Sequence, residues 1–366
     1  MGRYSMQKNI TNRQMFFILV LTLTTYTLVS LPKVAAEKIG TSGWITIMGM
    51  AVLFGGGAVI ITKLGLLYPG KSIYEYSTEI AGGFVARVIS IYYILYFIVI
   101  GVNLKIKLAD FLQENFLQKT PRSIIIGVSV ALFGYVSYKG ITSVARLFEL
   151  FGAMFLFTTI LLCIIALPQG VIYNILPLFN PLEAKEIISA APKFIFPYGG
   201  IEVLLVIPFT RNNKKAPRLA FFTLLFIGLF YVLVVESTIM VLGLSNTALF
   251  NDALIEAIKI VQIPVLERPD IFYLTVGLTS LFAGMIMVYV TLLEHIGNLF
   301  PKLDRIKMVV FTGILLFGMC MYAMTIDNAG NILDKIVVLP ILVSVFFIPG
   351  VLLILGKIKK KANSRQ

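Results

Sequence analysis

Long apolar stretches follow one another along most of this chain, separated by short turns that hold lysine, arginine, proline or glycine. A helix needs roughly 20 mostly apolar residues to cross a bilayer. With 58% hydrophobic and 13% charged residues and a mean hydropathy of +0.92, the chain is more apolar than a soluble domain requires. The pattern predicts an all-α polytopic protein in a lipid bilayer.

About ten spans are predicted, in two halves of five that cover about 14–167 and about 182–355 of a single permease-like domain. Most of the 31 lysine and arginine residues lie in segments that would be cytoplasmic if both tails are cytoplasmic. This agrees with the positive-inside rule, so we expect cytoplasmic N- and C-termini. The predicted spans are 14–39, 43–61, 84–111, 123–138, 141–167, 182–210, 220–242, 271–299, 308–326 and 332–355.

The sixth predicted span is interrupted at Phe196-Pro197-Tyr198-Gly199-Gly200-Ile201-Glu202. Proline removes a backbone donor, and paired glycines weaken a helix and let the chain turn. The freed backbone groups cannot stay unpaired in lipid, so such a break must be buried in protein or line a watery cavity. We therefore expect two half-helices here, with Glu202 on the first turn of the second.

The first predicted span is also interrupted, at 26–32, and we expect Pro32 to end its regular helix. Interruptions at corresponding positions of two halves indicate a midplane binding site between inverted repeats. Half-helices that begin there present free amides suited to a carboxylate, and those that end there present carbonyls suited to an ammonium group. The polar residues of this first break are Thr22, Thr24, Thr25, Tyr26, Thr27 and Ser30.

Glu149, Glu202 and Glu236 are acidic residues within predicted spans, where a charge is costly and should face the bundle interior. Glu202 could cap the amides of its half-helix, or receive a substrate amine or a proton, and both can hold together. Glu149 lies three residues from Arg146, and we expect these two to pair. Glu236 has no local partner, so a buried hydrogen bond and a cation pathway both stay open.

Several function classes are disfavoured. The net charge of +13 arises from basic residues between apolar runs, which argues against nucleic-acid binding. Cys163 and Cys320 each lie in an apolar run, so no disulfide framework or metal site is expected. We expect His295 to be interfacial and the Lys105 and Lys107 side chains to reach the headgroups. No catalytic dyad, nucleophile motif or metal cluster indicates an enzyme, and no cofactor is expected.

Three segments carry a family resemblance: Ile10-Thr11-Asn12-Arg13-Gln14, the irregular first span up to Pro32, and Tyr198-Gly199-Gly200-Ile201-Glu202 after a proline. They resemble the endospore germination permeases, the B subunits of nutrient germinant receptors. That family is similar to the amino acid, polyamine and organocation transporters. The resemblance implies two inverted five-helix repeats with a substrate site between broken helices 1 and 6.

The resemblance also implies a function and site residues. The chain would bind a small nutrient, most readily an amino acid, in the spore inner membrane and signal germination with A and C subunits. The alternative is a proton- or sodium-coupled amino acid transporter with the same site. A sodium site would use Thr279 and Ser280, and Glu149 and Glu236 are further ion or proton candidates. The implied substrate-binding residues are Thr25, Thr27, Val29, Ser30, Tyr198, Gly199, Gly200 and Glu202.

Overall fold

The computed structural model describes residues 10–180, 184–262 and 268–363, and this part of the chain is helical with no β-strand. The α-helices are Asn12–Leu23 (α1), Thr27–Lys38 (α2), Gly43–Leu67 (α3), Ile73–Ala81 (α4), Gly83–Asn115 (α5), Arg122–Tyr138 (α6), Ile141–Ala166 (α7), Ala184–Ala190 (α8), Ala216–Leu242 (α9), Leu244–Leu249 (α10), Ala253–Ile260 (α11), Pro269–Leu299 (α12), Arg305–Ala323 (α13), Ala329–Leu342 (α14) and Ile348–Asn363 (α15).

Shorter helical segments complete the fold. A π-helical turn, Val343–Phe347, joins α14 to α15 without a break. The 3₁₀ segments are Leu167–Gln169, Ile172–Ile175, Ala191–Phe194, Phe196–Tyr198, Ile201–Val206 and Arg211–Asn213.

The helices have the length and composition of membrane spans. Within the described ranges, seven are long and apolar enough to cross a bilayer, and two bent pairs would raise the number to nine. The 17-residue helix α6 is a further, shorter apolar segment. The all-α polytopic class is therefore confirmed. The count of ten, the inverted repeat, the repeat boundaries and the cytoplasmic position of the tails stay predictions, and residues 1–9 lie outside the described part.

Helix α12 forms the centre of the bundle, since 83% of its most apolar window is buried. It packs against α1, α5, α6, α7 and α13. On the other side, α3 and α9 pack closely because glycines stand at their contact: a Cβ on Gly228 would lie 2.5 Å from the Ala51 Cβ. Gly55 of α3 lies in the same contact, against the Phe221 ring of α9.

Both broken spans bend, but not quite where the sequence predicted. The first bends by 54° between α1 and α2, at residues 24–26, and Pro32 lies inside α2, so the prediction that Pro32 ends the helix is wrong. The hydroxyls of Thr24 and Thr25 bond the carbonyls of Val20 and Thr22, and these contacts end α1 earlier. The sixth bends by 45°, and its second half is a 3₁₀ segment that ends at Val206, short of the expected Thr210.

Two residues expected near the headgroups lie deep inside the protein. Lys105 is fully buried on α5, and its ammonium lies 5.8 Å from the Phe133 ring centroid and has no hydrogen-bond partner in the described residues. His295 is fully buried on α12 and stacks on Tyr93, with ring centroids 5.2 Å apart. Both predictions were wrong, because other helices enclose these side chains: Phe133 of α6 lies beside Lys105, and Tyr93 of α5 lies beside His295.

Candidate functional site between the two breaks

The two helix breaks adjoin each other in the middle of the bundle. Gly200 has φ +116°, which residues with a side chain rarely adopt, so glycine is what allows the turn of the sixth span. A Cβ on Gly200 would lie 3.2 Å from the Thr22 Cγ2 of the first break. The two interrupted segments that the sequence predicts are therefore in contact with each other in the fold.

Tyr231 on α9 ties the breaks together. Its hydroxyl lies 2.7 Å from the Leu23 carbonyl oxygen at the end of α1 and 3.1 Å from the Pro197 carbonyl oxygen of the sixth span. Both carbonyls lie at helix breaks and lack a helical partner. An unpaired carbonyl in the hydrocarbon region of a bilayer costs on the order of several kcal/mol. Sequence reasoning missed Tyr231, because nothing distinguishes one tyrosine within an apolar span.

A small cavity of about 30 Å³ lies where the breaks meet. This is room for about two water molecules, so the site is contracted around a space smaller than an amino acid. Thr22 Oγ1 on its wall is buried and has no hydrogen-bond partner among the described residues. The lining residues are Thr22, Leu23, Thr25, Thr27, Tyr96, Phe97, Ile100, Leu104, Phe196, Gly199, Gly200, Val203, Gly284 and Val288.

Glu202 is fully buried beside the cavity and does not line it. Its Oε2 accepts a 2.6 Å hydrogen bond from the Gly200 amide, and its Oε1 accepts one from the Tyr96 hydroxyl. The capping interpretation thus describes what the carboxylate does in this conformation. Tyr96, on α5, is the second residue that sequence reasoning missed, because its partner is 106 positions away.

The other predicted substrate residues divide into three groups. Thr25, Thr27, Gly199 and Gly200 line the cavity. Tyr198 lies behind it, with its hydroxyl donating to the Ile47 carbonyl oxygen at 2.8 Å. Val29 lines a separate, smaller cavity, and Ser30 bonds the backbone of α2. The structure thus brings four of the eight to the cavity wall.

An ion pair and two aromatic rings lie on one side of the cavity. Lys107 Nζ lies 2.7 Å from Asp334 Oδ1 and 4.5 Å from the ring centroid of Phe196, which lines the cavity. The same ammonium lies 5.6 Å from the Tyr26 ring centroid. Tyr26 in turn donates a 3.2 Å hydrogen bond to Asp252 in the connection between α9 and α12. These contacts link both breaks to α5, α14 and the connecting helices.

The ion and proton candidates are dispersed. Glu149 pairs with Arg13 Nε at 2.9 Å, so the predicted pair with Arg146, which is exposed, is wrong. Packing of α1 on α7 brings Arg13 to the carboxylate, whereas Arg146 points away from the bundle. Glu236 has one buried oxygen without a partner in the described chain.

The α12 hydroxyls behave differently from each other. Ser280 Oγ lies 3.0 Å from Thr24 Oγ1, so α12 does face the first break at this point. Thr279 donates to the Val276 carbonyl oxygen of its own helix at 2.7 Å. No group of three or more metal-ligating side chains occurs within residues 10–180, 184–262 and 268–363.

Comparison with known proteins decides the family. The model of the spore permease family, described as spore germination protein, matches residues 9–329. The chain belongs to this family. This confirms the resemblance found in the segments around Arg13, Pro32 and Gly200, and supports an integral membrane protein with a role in spore germination.

Three relatives of this spore permease come from Bacillus subtilis. Spore germination protein YndE is 24% identical over 313 residues, covering 82% of this chain and 83% of the relative. Spore germination protein B2 is 23% identical and covers 76% and 77% of the two chains. Spore germination protein A2 is 23% identical and covers 92% and 93%. The spore permease is therefore similar to these germination proteins over most of its length.

Proposed function

We propose that this spore permease is the membrane subunit of a nutrient germinant receptor and binds an amino acid in the cavity between the two breaks. The observation that carries the proposal is that both breaks line one cavity in a chain of the spore germination family. A broken helix leaves backbone groups free only where protein or ligand can pair them. The role is that of a non-enzymatic receptor.

The chemistry of the cavity wall suits a small zwitterion with an apolar side chain. Helix α2 begins at Thr27, and the positive dipole at this end of the helix favours a carboxylate, although the Leu28 and Val29 amides donate to the Thr25 and Tyr26 carbonyls in this conformation. The unpartnered Thr22 hydroxyl adds a donor or acceptor on the same wall. Phe97, Ile100 and Val288 supply apolar surface for the remainder of the ligand.

Ligand binding requires the cavity to expand, and this supplies the signal. A ligand that binds an expanded conformation better than the closed one shifts the population towards it. The expansion would move Phe196 of the broken sixth span away from the α12 wall of the cavity. Because the Lys107 ammonium contacts the Phe196 ring, this movement would also disturb the ion pair between Lys107 and Asp334. We propose that A and C subunits of the receptor in the spore inner membrane read this change.

A transporter with the same site is the alternative, and two observations favour keeping it. Glu236 carries a buried oxygen without a partner in the described chain, which could take up a proton. Ser280 meets Thr24 across the first break, where a sodium ion could bind. Either ion would couple to amino acid movement between the two sides of the membrane.

Reconstitution in proteoliposomes separates the two functions. A receptor should give ligand-triggered ion release when assembled with its partner subunits, and no counterflow of labelled amino acid. Efficient counterflow by the permease alone would favour the transporter. The Tyr231→Phe variant, which loosens the two breaks, should weaken whichever activity is present, whereas Gly318→Ala on α13, where a Cβ meets open space, should not.

A further inference from the structure

An apolar groove runs between α6 and α13 on the outside of the bundle, with a volume of about 600 Å³. Its floor is Tyr289 of α12, whose hydroxyl donates to the Val309 carbonyl oxygen at 2.6 Å. Gly134 and Gly313 make room for this ring, since a Cβ on either would lie 3.1 or 2.9 Å from the Tyr289 hydroxyl. The groove therefore lies where α6 and α13 pack against each other and around a side chain of a third helix.

The walls of the groove face the surroundings of the bundle. Tyr135 and Ile314 are 63% and 69% exposed, and Val310 is 54% exposed. A wall of this composition within spanning helices contacts lipid tails. The lining residues are Gly127, Val130, Ala131, Gly134, Tyr135, Tyr138, Tyr289, Ile306, Val309, Val310, Gly313, Ile314 and Phe317.

Two cations stand at one end of the groove, where α6 ends and α13 begins. Lys139 Nζ lies 5.3 Å from the ring centroid of Tyr135, a groove residue. Arg305 directly precedes the groove residue Ile306, and its Nη2 donates to the Ser137 carbonyl oxygen at 3.2 Å. Arg305 Nε is buried and unpartnered, and neither cation forms an ion pair with a carboxylate in the described ranges.

We propose that this groove binds one anionic phospholipid, with an acyl chain along the groove and its phosphate at Lys139 and Arg305. Basic pockets between spanning helices on the cytoplasmic side are suited to anionic headgroups, and the end with these cations is the side predicted to be cytoplasmic. The phosphate would pair charges that an apolar helix from another subunit would leave unpaired. The occupant is therefore a lipid rather than a partner helix.

Native mass spectrometry of the purified full chain tests the site. Phosphatidylglycerol and phosphatidylcholine are added in turn to protein stripped of lipid by detergent. Wild type should retain one phosphatidylglycerol molecule in preference to phosphatidylcholine. Ala131→Trp fills the groove and Lys139→Gln removes a cation, and each should reduce that retention severalfold. Arg305→Lys keeps the charge without the fork geometry and should reduce it less than Lys139→Gln.

Matched variants keep the result interpretable. Val128→Trp introduces the same side chain at an exposed position of α6 outside the groove, and Lys63→Gln removes an exposed cation from α3. Both should retain the lipid as wild type does. Equal retention of the two lipids, or equal retention by Ala131→Trp and Val128→Trp, would overturn the proposal. Failure of Ala131→Trp to assemble with partner subunits, with lipid retention unchanged, would assign the groove to a partner helix instead.

Discussion

Lys107 and Asp334 form an ion pair that joins α5 to α14, and the Lys107 ammonium rests 4.5 Å from the ring centroid of Phe196 on the cavity wall. Asn103 donates a 2.8 Å hydrogen bond to the same carboxylate. A single cation thus contacts a charge on one span and an aromatic ring on the broken sixth span. We interpret this cluster as the contact that holds the cavity closed.

Removing the cation should loosen the closed conformation. In Lys107→Gln, a cysteine placed at Thr27 should react faster with a membrane-impermeant maleimide than in the otherwise wild-type chain. The increase should be at most about fivefold, because partly exposed ion pairs contribute up to about 1 kcal/mol. Background labelling should be low, since Cys163 and Cys320 are buried. Lys71→Gln, which breaks an exposed ion pair with Glu79, is the control, and an equal rate in both variants would reject the gate.

Glu202 and Tyr96 should behave as one unit. Glu202→Gln puts an amide group where the carboxylate accepts from Gly200 and Tyr96, so one buried donor loses its acceptor. The expected loss of unfolding free energy is about 1–3 kcal/mol. A double-mutant cycle with Tyr96→Phe should give non-additive changes in thermal stability. Additive changes would mean that the two side chains do not depend on each other.

Tyr231→Phe should destabilise the region where the breaks meet. The substitution keeps the ring and removes the hydroxyl that lies beside the Leu23 and Pro197 carbonyls. Leaving a buried acceptor unpaired costs about 1–3 kcal/mol. Thermal unfolding in detergent should report this loss, together with faster hydrogen exchange at residues 24–27 and 199–201. Exchange that rises elsewhere but not in these segments would contradict the bridging role.

The thermal stability should depend on pH through Asp252, which lies outside the spanning helices. Burial raises the pKa of Asp252 above its ordinary value of 3.8, although hydrogen bonds from Asn115 and Tyr26 oppose that rise. At pH values between 3.8 and the raised pKa, the Asp252 carboxyl of the folded protein holds a proton that the unfolded chain releases. Stability should therefore fall as pH rises through that window, and Asp252→Asn should reduce this slope. An unchanged slope in the variant would assign the effect to other groups.

Local chemistry explains what the sequence could predict. The spans follow from hydropathy, and the break in the sixth span follows from Pro197 and the glycine pair, whose effects need no tertiary information. The Thr24 and Thr25 hydroxyls act on carbonyls three or four residues away, so the break in the first span was also local. The predicted position at Pro32 is wrong because the Thr24 and Thr25 hydroxyls contact the end of α1, whereas Pro32 is accommodated within α2.

Long-range pairing explains what the sequence could not predict. Helices α5 and α9 are apolar on all sides, so periodicity does not show which face points at the site, and Tyr96 and Tyr231 were indistinguishable from packing residues. Glu149 was assigned to a neighbour three positions away, but Arg13 reaches it from another helix. Sequence spacing identifies neighbouring residues on the same helix but does not show which residues of other helices are in contact with them.

Amino acid binding to the purified permease tests the proposed site most directly. A Cβ on Gly284 would overlap the Thr25 hydroxyl at the cavity wall, whereas a Cβ on Gly318 meets open space. Wild type and Gly318→Ala should bind a labelled amino acid saturably and with equal affinity. Gly284→Ala should bind it at least about tenfold more weakly, a difference of roughly 1.4 kcal/mol. Equal affinity in all three proteins would contradict a nutrient site between the two breaks.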